Sequence, residues 1–143
     1  MKQVLAVLAV VLAGVAPAAD KGAVEAELKR LEGTWEITSA EARGRKLSLK
    51  DLGMDQVVVR GDKLTFRANG KDVKTYGLKV DPSKDPKQMD WTSKDSDPLA
   101  GIYELKGDDL MVCWGESKDQ RPTALSTKKG SGTLLLILKR GKP

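Results

Sequence analysis

From residue 35 onward, apolar side chains recur at every second position in short runs. That period belongs to a strand half-buried on one face, and a helix does not share it. The run at 63–68 is the cleanest: Leu64, Phe66 and Ala68 fall on one face, with Lys63, Thr65 and Arg67 on the other. At 73–80, Tyr76, Leu78 and Val80 alternate with Thr75, Gly77 and Lys79, and at 109–115 Leu110, Val112 and Trp114 fall together. Met89 pairs with Trp91 in 87–92, and Tyr103 with Leu105 in 101–106. The runs at 35–38 and at 55–60 (with Val57, Val58 and Val59), and the mostly apolar 134–140, complete the set. Together they make about eight strands.

Turn residues stand between these runs. Gly61-Asp62, Asn69-Gly70, Gly107-Asp108 and Gly130-Ser131-Gly132 mark tight connections. Asn-Gly is the strongest of them, because both residues tolerate positive φ. Residues 81–86, with two prolines, 94–98, and 117–127, with Pro122, read as longer polar loops at a rim. Strands joined mainly by hairpins predict an all-β fold: a single antiparallel up-and-down barrel of about eight strands, whose closure removes exposed edges. Periodicity alone leaves an open or two-layered sandwich as the alternative. One short helix precedes the sheet at 21–32, where Val24, Leu28 and Leu31 have helical spacing and Gly33 is expected to end it. Such a helix would cover one end of the barrel.

The first residues read as an address. Met1-Lys2 gives a positive start, 4–15 is an apolar stretch, and Ala16-Pro17-Ala18 supplies the small residues of a signal-peptidase site. Cleavage is expected after Ala18 or Ala19. The apolar stretch is shorter than the ~20 residues that cross a bilayer. Leu12-Ala13-Gly14 begins like a lipoprotein signal, but Val15 stands where the lipidated cysteine is needed. The expected organisation is a signal peptide at 1–19 and one β domain at 20–143. The expected product is exported, periplasmic or extracellular, and carries no membrane anchor after cleavage.

Composition narrows the chemistry. The net charge of +5 falls by one when Lys2 leaves with the leader. Basic and acidic residues interleave, as in Lys84-Asp85 and Lys94-Asp95. The clusters Arg43-Gly44-Arg45-Lys46 and Lys128-Lys129 read as solvated loop charges. A nucleic-acid binder gathers its cations into a stripe, so no nucleic-acid partner is expected. Histidine is absent, which removes Ser-His-Asp and Cys-His nucleophile pairs and histidine-based zinc sites. The single cysteine, Cys113, allows no intramolecular disulfide and is expected to be buried as a small apolar residue. Asp81, Asp85, Asp95 and Asp97 lack the spacing of a calcium-binding loop. The chain therefore reads as no enzyme, with no cofactor or metal.

The segment Leu31-Glu32-Gly33-Thr34-Trp35 resembles the opening of the calycin group, in which lipocalins and fatty-acid-binding proteins begin their first strand with Gly-x-Trp. The resemblance implies that the Trp closes one end of the barrel and packs against an Arg near the end of the last strand. Gly33, Trp35 and Arg140 (in Leu138-Lys139-Arg140) occupy those positions. A more extensive resemblance is to an uncharacterised family of exported lipocalin-like domains of planctomycete bacteria. It adds Gly101-Ile102-Tyr103-Glu104-Leu105, Asp109-Leu110-Met111-Val112-Cys113-Trp114 and Arg121-Pro122-Thr123, and covers nearly all of the chain after the leader. It implies fold and export, and no activity.

Two functional readings follow. Tyr76, Trp91, Tyr103 and Trp114 are expected to point inward. There they either line a pocket for a small apolar or amphipathic ligand or fill the interior that an eight-stranded barrel just encloses. Arg121 either holds an anionic group at the barrel mouth, or pairs with Asp119 or Glu116, or caps loop carbonyls. The first reading is a ligand-binding exported barrel. The second is a cell-envelope protein–protein interaction or inhibitor-like module with a packed core, working through the loops at 94–98 and 117–127. The volume of the interior separates them.

Overall fold

The computed structural model describes residues 21–115, 120–127 and 132–141. The leader, Glu116, Asp119, Lys128-Lys129 and Gly130-Ser131 lie outside the described residues. In chain order the elements are α1 (Lys21–Leu31), β1 (Gly33–Ala42), β2 (Arg45–Leu47), α2 (Leu49–Leu52), β3 (Gln56–Arg60), β4 (Lys63–Ala68), β5 (Lys71–Asp81), β6 (Lys87–Ser93), β7 (Ser96–Lys106), β8 (Asp109–Gly115) and β9 (Thr133–Arg140). Neighbouring strands run β2-β1-β3-β4-β5-β6-β7-β8-β9, and β1 also pairs with β9. All of these pairings are antiparallel. The result is a closed eight-stranded, lipocalin-like up-and-down barrel, with β2 as a short extra strand folded back on the far end of β1. The sandwich alternative does not apply.

Register places apolar side chains opposite one another across the seams. Val59 faces Leu64, Leu64 faces Tyr76, and Leu78 faces Trp91. Tyr103 faces Val112, Val112 faces Leu136, and Leu110 faces Leu138. A slip of one residue would turn a whole strand's apolar set into water, so this alternation fixes the pairing. Asn69 and Gly70, both at positive φ, form the β4–β5 turn that the sequence signals. A bulge between Ile37 and Ser39 absorbs one residue, which lets both Ile37 and Ala40 reach the core.

Two local expectations are revised, and one stretch without a sequence signal acquires structure. Residues 94–98 are not a long loop: Ser93 pairs with Ser96, so β7 begins immediately after a tight turn. Sheet pairing overrides the weak strand propensity of Ser-Asp-Pro, and Pro98 is tolerated where the β6–β7 ladder is irregular. Residues 45–52 carry β2 and the single-turn α2, too short for periodicity to reveal. Gly33 does not cap the helix. Helix α1 stops at Leu31, and Gly33 is the first residue of β1, at φ +129°.

The elements outside the closed sheet pack on its core. Helix α1 crosses the end where β1 begins and β9 finishes. Leu31 is fully buried there, and the Trp35 indole Nε1 donates to its carbonyl at 2.8 Å. The Arg140 guanidinium lies 4.3 Å from the Trp35 ring centroid. It donates to the carbonyls of Glu32 (2.6 Å) and Arg30 (2.7 Å), and to the Asp108 carboxylate (3.3 Å). Past the far end of β1, Leu47, Leu49, Leu52 and Met54 pack on the same core. Ser48 caps α2 by accepting from the Asp51 N–H.

Gly33 is needed for this closure. A Cβ there would sit 2.9 Å from Arg140 Nη1, and that nitrogen cannot retreat without losing its bond to Glu32. Gly33→Ala is expected to cost about 1–3 kcal/mol from the backbone conformation alone, with loss of the Arg140 contact added. Urea unfolding monitored by Trp fluorescence measures this; an unchanged midpoint would show the closure to be loose.

Candidate functional site

The interior was the first place the sequence pointed to. Tyr76, Trp91 and Trp114 meet there around Phe66. Trp91 and Trp114 have ring centroids 4.4 Å apart, and Phe66 lies 5.4 Å from Trp91 and 6.0 Å from Tyr76, in edge-to-face geometry with both. Such pairings add about 0.5–1.5 kcal/mol each beyond simple burial. Nearer α1 the void lined by the described residues Leu31, Met89, Trp91, Val112 and Leu138, among other apolar side chains, is about 10 Å³. That is room for about one water. Pockets for organic ligands span roughly 300–1,000 Å³. Among the described residues, the inward aromatics pack on one another and fill the space between them.

Tyr103 is set apart from the other rings, at the α1 end. Its hydroxyl donates to Glu27 Oε2 at 2.6 Å, and Lys87 Nζ donates to the same oxygen at 3.0 Å. Arg30 Nη1 lies 3.8 Å from Glu27 Oε1. Glu27 is only 4% exposed, and burying a carboxylate requires such partners. This carboxylate fastens α1 over the barrel end. Sequence reading missed it, since an acidic residue in an amphipathic helix reads as solvent-facing. The one available signal is its i,i+4 spacing to Leu31 on the core face. Burial pushes the Tyr103 phenol far above the ordinary tyrosine range, and the hydrogen bond to Glu27 and the negative charges of Glu27 and Asp81 push it further.

Arg121 is on the outside of the wall and not at a mouth. Its guanidinium donates to the carbonyls of Gly101 (2.8 Å) and Met89 (3.3 Å), and to Asp90 Oδ1 (2.7 Å). It thus caps carbonyls, as one reading allowed, and among the described residues its acid partner is Asp90. The segment it anchors covers a second, smaller apolar cluster on the outer face, where Ile102, Cys113 and Leu135 pack with Met111 and Leu125. Cys113 is fully buried there, its Sγ 3.7 Å from the Ser126 carbonyl. Burial raises its thiol pKa, which keeps it protonated and unreactive.

A different feature occupies the outer face of β3, β4 and β5. Register aligns Thr34, Val58, Thr65 and Thr75 in one row across four strands, and the hydroxyls of Thr65 and Thr75 are 2.9 Å apart. On one side of the row Arg60 stands directly opposite Lys63; on the other Arg67 faces Gln56. The resulting open groove has a volume of about 500 Å³ and is lined by Val58, Arg60, Lys63, Thr65, Arg67 and Asp72, with Thr75. Arg67 bonds the Gly70 carbonyl and lies 3.0 Å from the Asp72 carboxylate. Arg60 and Lys63 have no ion-pair or hydrogen-bond partner among the described residues. Sequence reading took these cations as scattered, because strand pairing brings together residues that are not neighbours along the chain.

Tyr103 gives the fold a pH dependence. The folded protein keeps the phenol neutral, whereas the unfolded chain releases its proton near pH ~10. The stability tied to this group is therefore present below about pH 10 and lost as pH rises further. Urea unfolding between about pH 7 and 11 is expected to show a falling alkaline limb. Tyr103→Phe should flatten that limb and cost about 1–3 kcal/mol at neutral pH by removing one of the two donors to the buried Glu27 Oε2. An identical alkaline limb in both proteins would contradict the assignment.

The chain matches none of the protein-family models and none of the curated proteins with which it was compared.

Proposed function

We propose that this chain is an exported, non-catalytic interaction module of the cell envelope, whose barrel is a solid scaffold and whose outer surface makes the contacts. The observation that carries the reading is that the interior void beneath α1, as lined by the described residues, is only about 10 Å³. A small apolar ligand would have to displace Phe66, Trp91 or Trp114 from contacts they already make with one another. Arg121, the residue considered for an anionic ligand at a mouth, instead pins a covering segment against the wall.

Export is supported by the signal-type pattern at 1–19 and by the resemblance to exported lipocalin-like domains of planctomycetes. The non-catalytic reading is supported by the absence of histidine and by the burial of the one thiol.

Expression of the full chain with its leader, followed by intact-mass measurement of the exported product, tests the first part. Loss of residues 1–18 or 1–19 is expected, and retention of the leader would contradict it. Native mass spectrometry and titration with a fluorescent fatty-acid analogue test the second. The expected result is the bare mass of the mature chain and no saturable binding. Stoichiometric uptake of the analogue, abolished by Trp114→Ala, would return the barrel to a ligand-binding role.

A further inference from the structure

The groove on the outer face of β3–β5 has a charge arrangement that the fold does not need. Arg60 and Lys63 are directly opposed across the β3–β4 seam, which sets their Cβ atoms about 4.5–5.5 Å apart, and like charges in that position destabilise a sheet. Among the described residues no carboxylate neutralises either one. About 13 Å further along β4, by strand rise, stands the third cation, Arg67. Its partner Asp72 is 71% exposed, so that pair contributes little and is open to exchange. Between the two positive ends lie the paired hydroxyls of Thr65 and Thr75.

We propose that this groove binds an acidic polysaccharide, a polymer carrying carboxylates at intervals among many hydroxyls. This deepens the interaction-module reading and rests on it. The Arg60–Lys63 pair takes one acidic group and relieves its own repulsion. Arg67 takes a second, releasing Asp72 to accept from sugar hydroxyls. Thr65 and Thr75, each able to donate and accept, meet the hydroxyls between.

Other polyanions fit less well. Single-stranded nucleic acid binds by stacking bases on aromatic rings, but Phe66 and Tyr76, the aromatic residues of these strands, pack inward. An acidic peptide would meet the cations with its carboxylates alone: it offers few hydroxyls to the Thr65–Thr75 pair, and its backbone finds no free edge, because each of β3, β4 and β5 is already paired on both sides. Protein hot spots want aromatic anchors in desolvated pockets, whereas this surface is polar and open.

The test is titration of the mature protein with polygalacturonate, followed calorimetrically at low and at raised salt. Saturable binding that weakens with salt is expected. The Arg60→Gln/Lys63→Gln double variant should lose affinity by about tenfold or more, while its urea midpoint stays equal or rises because the repulsion is gone. Lys84→Gln/Lys94→Gln removes the same charge away from the groove and should keep affinity within about twofold. Neutral dextran should not bind, and poly-glutamate and single-stranded DNA should bind more weakly than polygalacturonate. The inference is overturned if polygalacturonate does not bind, if both double variants lose affinity equally, or if poly-glutamate or DNA binds more tightly. If it is overturned while the fatty-acid analogue still finds no site, the packed-module reading stands and a different face must carry the contacts.

Discussion

The whole arrangement depends on one guanidinium. Arg140 is the last residue of the last strand, yet it touches the first strand, the helix before it and the β7–β8 turn. Its plane covers the Trp35 indole, and its nitrogens reach the carbonyls of Arg30 and Glu32 and the carboxylate of Asp108. The stacking contributes about 0.5–2 kcal/mol, and each hydrogen bond from a charged donor about 1.5–3 kcal/mol. These carbonyls end α1, where no further helical turn satisfies them. Arginine suits the place because only a planar fork can stack on a ring and bond carbonyls along its edge. Gly33 has to lack a side chain so that the fork can approach.

Closing the barrel at this end has consequences for its contents. With Leu31 pressed into the base and Leu49, Leu52 and Met54 packed past the far end of β1, the interior is shared by large side chains in mutual contact. Eight strands enclose a space that side chains alone can fill, and here three Trp, one Phe and two Tyr are available to fill it. The same fold can house a ligand when those positions are small. What this chain presents to its surroundings is therefore its outer wall. Part of the wall is covered by the segment held by Arg121; the rest includes the open, cationic face of β3–β5.

Much of the fold was legible because alternation is a direct image of a half-buried strand. Leu64, Phe66, Leu78, Val80, Leu110 and Val112 all face the side their spacing assigns. The Asn69-Gly70 turn was legible for a steric reason. Residues 96–98 were not, because Ser-Asp-Pro has the composition of a loop and becomes strand only through its partner β6. Glu27 was illegible for the opposite reason: its burial is decided by Tyr103 and Lys87, 76 and 60 residues away. The inward direction of Tyr76, Trp91, Tyr103 and Trp114 was readable, but whether they leave a cavity depends on ring-to-ring geometry that no linear pattern encodes. The Arg60–Lys63 pair was hidden because its significance lies in register.

The central claim is that Arg140 locks helix and seam as one unit. Native-state hydrogen exchange of the wild type and of Arg140→Gln tests it most directly. The account predicts that amides of α1 and of the paired segment around Trp35 and Arg140 lose protection together, by about ten- to a hundredfold, while β5–β7 are little changed. Loss confined to α1, or no loss in either segment, would contradict it.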